Sequence, residues 1–169
     1  SVQKKGGLNM GKLKIVLPII GMILTFSDVY AYTTKDGMNF FNQYQNYANS
    51  YDEKLLDLYS PDANIIREVV KPTGETVSVK VPAKRFFKEL KIGQKTAKIR
   101  KYKNRYKNII VQEVPNGVKI SAERQPIKET YWLKMYQIVT PTSDGPKITE
   151  EMMQTKVQTF LKMQDKGEE

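Results

Sequence analysis

The stretch Met38–Ile66, MNFFNQYQNYANSYDEKLLDLYSPDANII, decides how the rest of the chain is read. Tyr44, Tyr47, Tyr51, Leu55 and Leu58 stand at offsets of 4, 7, 11, 15 and 18 from Phe40. That spacing traces one face of a 3.6-residue helix. Ser60-Pro61-Asp62 should end the helix, because proline disfavours helical geometry in the residue before it and all three residues favour turns. Asn64 to Val70 then reads as a β-rich run. A tyrosine-faced helix, a sharp stop and an immediate strand point to a fold before they point to a reaction.

Working outward, Pro72-Thr73-Gly74 makes a turn and Glu75 to Lys80 alternates as a second strand, so the two strands form a hairpin. Pro82 stands where a helix starts, and Ala83, Phe86, Phe87 and Leu90 repeat at helical spacing until Gly93. A short helix of about three turns is expected there. Lys95–Tyr102 and Tyr106–Val114 are expected as strands. Pro115-Asn116-Gly117 is a hairpin signal, and Val118, Ile120 and Ala122 mark the buried face of the strand after it. Tyr131–Thr140 is the longest apolar strand, and Thr142-Ser143-Asp144-Gly145 turns it back into Lys147–Thr155. Residues 156–169 are expected as a tail carrying a frayed helix on Val157, Phe160 and Leu161. The order of elements predicts an α+β fold, with a curved antiparallel sheet wrapped around the long N-terminal helix as a cone-shaped half-barrel.

The chain has 169 residues, 40% of them hydrophobic and 27% charged, enough for one domain with its own core. It contains no cysteine and no histidine. Disulfides, cysteine nucleophiles and histidine-based triads or general bases are therefore excluded, and no metal or cofactor site is expected. Any catalysis would fall to Asp, Glu, Lys, Tyr or Ser.

The N-terminal part reads as an export signal: the basic Met10-Gly11-Lys12-Leu13-Lys14, an apolar run from Ile15 to Phe26, and Val29-Tyr30-Ala31 as a cleavage site. A transmembrane span needs about 20 apolar residues, and Ser27 and Asp28 break this run. An uncleaved anchor is the rival reading. Residues 1–31 are thus assigned to an upstream extension and signal peptide, and 32–155 to the domain of a periplasmic or extracellular protein. The formal net charge is +10, and twelve Lys and Arg lie between Lys80 and Lys107 against Glu89 alone. In an exported protein such a field favours an anionic envelope surface, and no nucleic acid partner is expected. The alternative is a solvated surface that aids solubility.

Leu55-Leu56-Asp57-Leu58-Tyr59-Ser60-Pro61-Asp62-Ala63, with Asp52 seven residues before Tyr59, resembles the opening of the nuclear-transport-factor-2-like (SnoaL-like) superfamily. Gly145-Pro146-Lys147-Ile148-Thr149-Glu150-Glu151 resembles its last strand. The resemblance spans Asn39–Thr155 and implies a cone whose curved sheet encloses a pocket. The superfamily includes ketosteroid isomerase, scytalone dehydratase, limonene epoxide hydrolase and polyketide cyclases. Histidine-dependent dehydratase chemistry does not fit this chain. Isomerase-like chemistry needs a carboxylate base, a tyrosine and a second acid, and only Asp52 with Tyr47 or Tyr51 comes near that set. An Asp-Arg-Asp hydrolase set is approached only by Asp52 with Arg67 or Arg124.

Each candidate has a structural and a functional reading. Tyr44, Tyr47 and Tyr51 are either core residues or the wall of a pocket. Asp52 is a helix-surface residue, a partner for Arg67, or a pocket carboxylate. Arg124 continues the apolar face of Val118, Ile120 and Ala122, as an internal ion pair or an anion-binding group. Trp132 and Tyr136 share one strand face, opposite Leu133 and Met135, and one of these faces lines the cavity. The expectation is an exported, non-catalytic binding protein for a small amphiphilic or anionic ligand, with a small pocket enzyme using Asp52 as the alternative. A homodimer fits either.

Overall fold

The computed structural model describes residues 31–163. The proposed signal peptide falls outside the described residues. Helix α1 (Thr34–Ser50) opens with a capping box in which the Thr33 and Asp36 side chains satisfy each other's backbone N–H groups. It buries Phe40, Phe41 and Tyr44, and Gly37 sets its distance from the sheet. A Cβ on Gly37 would lie 2.7 Å from a Val111 methyl and 2.8 Å from one of Val118.

The helix stops earlier than its apolar stripe predicts. Tyr51 takes a left-handed conformation (φ 62°), and Glu53–Leu58 forms a separate 3-10 helix. The local chemistry explains the break. The Ser50 hydroxyl donates back to the Asn46 carbonyl (2.7 Å), a bond that weakens a helix, and Asp52 caps the new turn by accepting the Lys54 N–H (2.9 Å). Leu55 and Leu58 are buried as expected, but from a different element.

Ser60-Pro61-Asp62 lies inside a strand. β1 (Tyr59–Val70) pairs with β2 (Thr76–Val81) only from Ile65 onward, and its register against the last strand is irregular between Tyr59 and Asn64. Proline is tolerated where the ladder lacks a partner or is broken.

Helix α2 (Ala83–Arg100) runs 18 residues, about two turns longer than expected, and absorbs most of the strand expected at Lys95–Tyr102. Phe86, Leu90, Gln94 and Ala97 keep helical spacing straight past Gly93, and all four are buried or half-buried. Its end is a left-handed Lys101 (φ 51°), with the Tyr102 N–H bonded to the Ala97 carbonyl.

Four strands follow: β3 (Asn104–Val114), β4 (Gly117–Pro126), β5 (Leu133–Thr142) and β6 (Gly145–Thr155). The sheet order is β2-β1-β6-β5-β4-β3, antiparallel except for the parallel β1–β6 pair. The fold is α+β, an unclosed curved sheet with both helices on one side. Asn116 (φ 68°) and Gly117 turn the β3–β4 hairpin as expected. The expected C-terminal helix is a short 3-10 segment, Gln158–Met163, whose Phe160 and Met163 pack against the core. The core itself joins Phe40, Phe41 and Tyr44 of α1 and Phe86 of α2 to Ile65, Val118, Ile120, Met135, Val139 and Ile148 of the sheet.

Candidate functional site

The concave face of the sheet carries a polar cluster within this apolar core, and its centre is Glu151. β6 brings this residue inward through a bulge. Val139 pairs with Ile148 while the adjacent Ile138 pairs with Glu150, so Thr149 is an extra residue on β6. The bulge shifts the alternation by one: Ile148 and Glu151 are both buried, and Glu150 faces outward. Strict alternation from Ile148 would have placed Glu150 inside and Glu151 outside, so the sequence pattern alone does not single out Glu151.

Glu151 is fully buried and accepts from three side chains. The Tyr59 hydroxyl donates to Oε2 at 2.5 Å, Gln137 Nε2 to Oε2 at 3.0 Å, and Arg67 to Oε1 at 3.1 Å in an ion pair. Ile65 and Gln137 are the register partners of Glu151 on either side, so β1 and β5 deliver their donors across the strands. Arg67 also lies over the Phe86 ring, 5.4 Å from its centroid. The Tyr59 hydroxyl is pushed well above its usual pKa of 10.0, by burial first and by the Glu151 charge second. Tyr44 is raised as well, by burial and then by Tyr106, and its hydroxyl neighbours those of Tyr59 and Tyr106. Tyr106 is raised chiefly by burial.

Arg124 stands further along the same concave face, on β4 opposite Tyr106. One guanidinium nitrogen donates to Asn104 Oδ1 at 3.0 Å and the other to the Gln154 carbonyl at 3.2 Å. Its Nε is buried with no partner. Among the described residues Arg124 makes no ion pair with a carboxylate. It acts electrostatically on Tyr44, Tyr106 and Tyr131. Asn104 is itself tied to the C-terminal end of α1, its N–H donating to Asn49 Oδ1 and its carbonyl accepting from Asn49 Nδ2. The guanidinium thus sits half-buried where α1, β3 and β6 meet.

The structure brings Tyr44, Arg67 and Arg124 onto one face and sends other candidates elsewhere. Tyr47 packs at the edge of the core and its hydroxyl accepts from Gln43 (3.0 Å). Tyr51 ends α1 with a buried, unpartnered hydroxyl. Asp52 is a cap at the start of the 3-10 helix, and its backbone carbonyl accepts from Gln94 (3.5 Å). Trp132 and Tyr136 lie on the outer sheet face, since Leu133 and Met135 are the buried pair. There Lys107 covers the Trp132 ring at 4.3 Å and Lys119 the Tyr136 ring at 4.4 Å, and the Tyr136 hydroxyl donates to Glu150. Glu151, Tyr59, Gln137 and Tyr106 were not singled out from sequence. Gln137 had a local signal, as the only polar residue in phase with Met135 and Val139 on β5.

Two open grooves lie along α2. One, of about 380 Å³, is lined by Glu89, Ile92, Gly93, Thr96, Arg100 and Tyr102 among others. The other, of about 490 Å³, runs past Pro82, Lys84, Arg85, Lys88, Glu89 and Ile92. Among the described residues no cluster of acidic side chains has the arrangement of a metal site.

No protein-family model and no curated protein matches this sequence. Solved structures do. A nuclear-transport-factor-2-like protein of unknown function from Pseudomonas putida matches with a TM-score of 0.54 at 6% identity, over 75% of this chain and 89% of that one. A DUF3225-family protein of unknown function from Pectobacterium atrosepticum matches with a TM-score of 0.52 at 14% identity, over 72% and 88%. The beta subunit of a benzoate 1,2-dioxygenase from Burkholderia mallei matches with a TM-score of 0.50 at 12% identity, over 73% and 90%. The chain has the nuclear-transport-factor-2-like fold.

Proposed function

We propose that this is an exported binding protein without catalytic turnover, and that Arg124 orients an anionic amphiphile on the concave face of the sheet. The observation that carries this reading is the guanidinium's set of partners. Both of its bonded nitrogens go to neutral acceptors and Nε goes to none, so its charge is not neutralised by a partner in the protein. A half-buried guanidinium of this kind suits a carboxylate or phosphate that can replace weak neutral acceptors with charge-assisted bonds. Around it stand Tyr44, Tyr106 and Tyr131. Tyr102, which lines the smaller α2 groove, lies within electrostatic reach of Tyr106 and Tyr131.

The polar cluster argues against acid–base turnover. Glu151 accepts from three donors, and the Tyr59 hydroxyl points its proton at Glu151 rather than at open space. A general base needs a lone pair directed at its substrate. Asp52 uses a carboxylate oxygen to cap the 3-10 helix. Export rests on the basic, apolar and Val-Tyr-Ala segments of the sequence.

Protein recovered from the host envelope or medium should begin at Tyr32, and its native mass spectrum should report any retained ligand and the homodimer expected of this fold. Calorimetric titration with dodecanoate and dodecyl phosphate should show binding by the unsubstituted protein and at least a tenfold loss in Arg124→Met. Equal binding by Arg124→Met, or none by the unsubstituted protein, overturns the reading. Turnover abolished by Asp52→Asn would make the chain an enzyme.

A further inference from the structure

The outward surface of α2 is built unlike the rest of the protein. Placed at 100° per residue, Lys84, Lys88, Lys91, Lys95 and Lys98 occupy one arc of about 80° and run about 21 Å along the axis. All five are exposed, and among the described residues none is paired with a carboxylate. Glu89, the one acid on the helix, is held by Arg85 at 2.7 Å. Next to the lysine arc stand Ile92 and Ile99, two turns apart and 58% and 82% exposed. The larger groove opens between Ile92 and the N-terminal lysines.

At its N-terminal end this arrangement does not serve the helix, although Lys98 and Arg100 suit the last turn. The first turn carries Lys84 and Arg85 and no acid, against the preference of a helix N-terminus for negative charge. There is no side-chain cap at Pro82, and Gly93 in the helix interior costs about 1 kcal/mol relative to alanine. α2 is held by its buried face, through Phe86, Phe87 and Leu90. Its charged face is free for another use.

We infer that the outer face of α2 docks the protein on an anionic bilayer surface, with the lysine arc against the headgroups and Ile92 and Ile99 dipping into the acyl boundary. Five unpaired ammonium groups on one face are complementary to a layer of anionic headgroups, each contributing attraction that falls off within a Debye length. The isoleucines favour lipid over nucleic acid. Phosphate contacts alone have no use for two protruding aliphatic side chains, whereas an interfacial helix has one. The apolar stripe of α2 is already buried in the protein, and no helix of the described residues is long and apolar enough to cross a membrane, so the contact is peripheral. This inference is independent of Arg124, and either can fail alone.

The absence of cysteine makes a site-specific test direct. A bimane fluorophore is attached to Ile92→Cys or Ile99→Cys in the full chain, and to Ile110→Cys on the outer sheet face as the control. Vesicles of phosphatidylglycerol and phosphatidylcholine should shift the emission of the first two labels to the blue and leave the third unchanged. Phosphatidylcholine vesicles should shift none. Lys91→Gln with Lys95→Gln should weaken the apparent vesicle affinity, at about fivefold per lysine removed, and added salt should do the same to the unsubstituted stripe. The inference is overturned by equal shifts on neutral vesicles, by a shift confined to the Ile110→Cys label, or by no shift at all. It is also overturned if the lysine variant binds unchanged, or if duplex DNA shifts the helix labels where vesicles do not.

Discussion

Arg67 and Arg124 rise from the same concave sheet face, on β1 and β4, and meet opposite environments. Arg67 reaches a fully buried carboxylate that also holds Tyr59 and Gln137, and its side chain is 12% exposed. Arg124 reaches an amide oxygen and a backbone carbonyl and leaves Nε without a partner. A buried ion pair with further hydrogen bonds is structural, because removing one member leaves the other charged and unsolvated. A guanidinium held only by neutral acceptors keeps its charge available to an incoming anion. The two arginines divide the sheet face into a closed corner around Glu151, where the charge is paired, and a corner around Arg124, where the guanidinium has only neutral partners.

The largest test of that contrast is the pair of substitutions Arg67→Met and Arg124→Met, followed by urea unfolding. Arg67→Met should cost about 3–5 kcal/mol, since it strands Glu151. Arg124→Met should cost no more than about 2 kcal/mol, the scale of hydrogen bonds from a charged donor to neutral acceptors. Equal losses would erase the distinction and make Arg124 structural too.

An alkaline titration sharpens the closed corner. Tyr44, Tyr59 and Tyr106 are all raised above 10.0, so the folded state holds protons that the unfolded chain releases. Their contribution is fully present below pH 10 and is lost as the pH climbs from there through the folded-state values. With no histidine, no histidine step should appear between pH 5 and 8. Tyr59→Phe should lower stability by about 1–3 kcal/mol at neutral pH, through the lost donor to Glu151, and should flatten the alkaline fall. An unchanged alkaline slope would separate Tyr59 from the effect.

The smallest effect expected is at Gln137. Its Nε2 supports Glu151, while its Oε1 is buried without a partner. Gln137→Leu removes one favourable bond and one orphaned acceptor, and the two should nearly cancel, leaving a change within about 1 kcal/mol. A loss of several kcal/mol in thermal or urea unfolding would mean that all three donors on Glu151 act as one unit.

Much of the frame is legible in local signals, because each rests on residues close in sequence. The turns at Pro72–Gly74, Asn116–Gly117 and Asp144–Gly145, and the inward set Val118, Ile120 and Ala122, are where the residues predict. The misreadings arise where two local rules compete. At Ser50–Asp52 side-chain bonds to the backbone override an apolar stripe that runs on to Leu58. At Lys95–Tyr102 an apparent alternation competes with the helical spacing that continues from Phe86, and burial against the core decides for the helix.

By itself the sequence determined that no cysteine or histidine chemistry is possible, the density of positive charge between Lys80 and Lys107, and the α+β class of the fold. Composition and short-range spacing suffice for these. Only the tertiary structure decided which acid faces inward, because one extra residue on β6 changes the side of every residue after it. It also placed Trp132 and Tyr136 outside, and it joined Glu151 to Tyr59 and Arg67 across separations of 92 and 84 residues. Such pairings depend on strand order and register, which are set by packing the whole sheet at once and leave no mark at either residue alone.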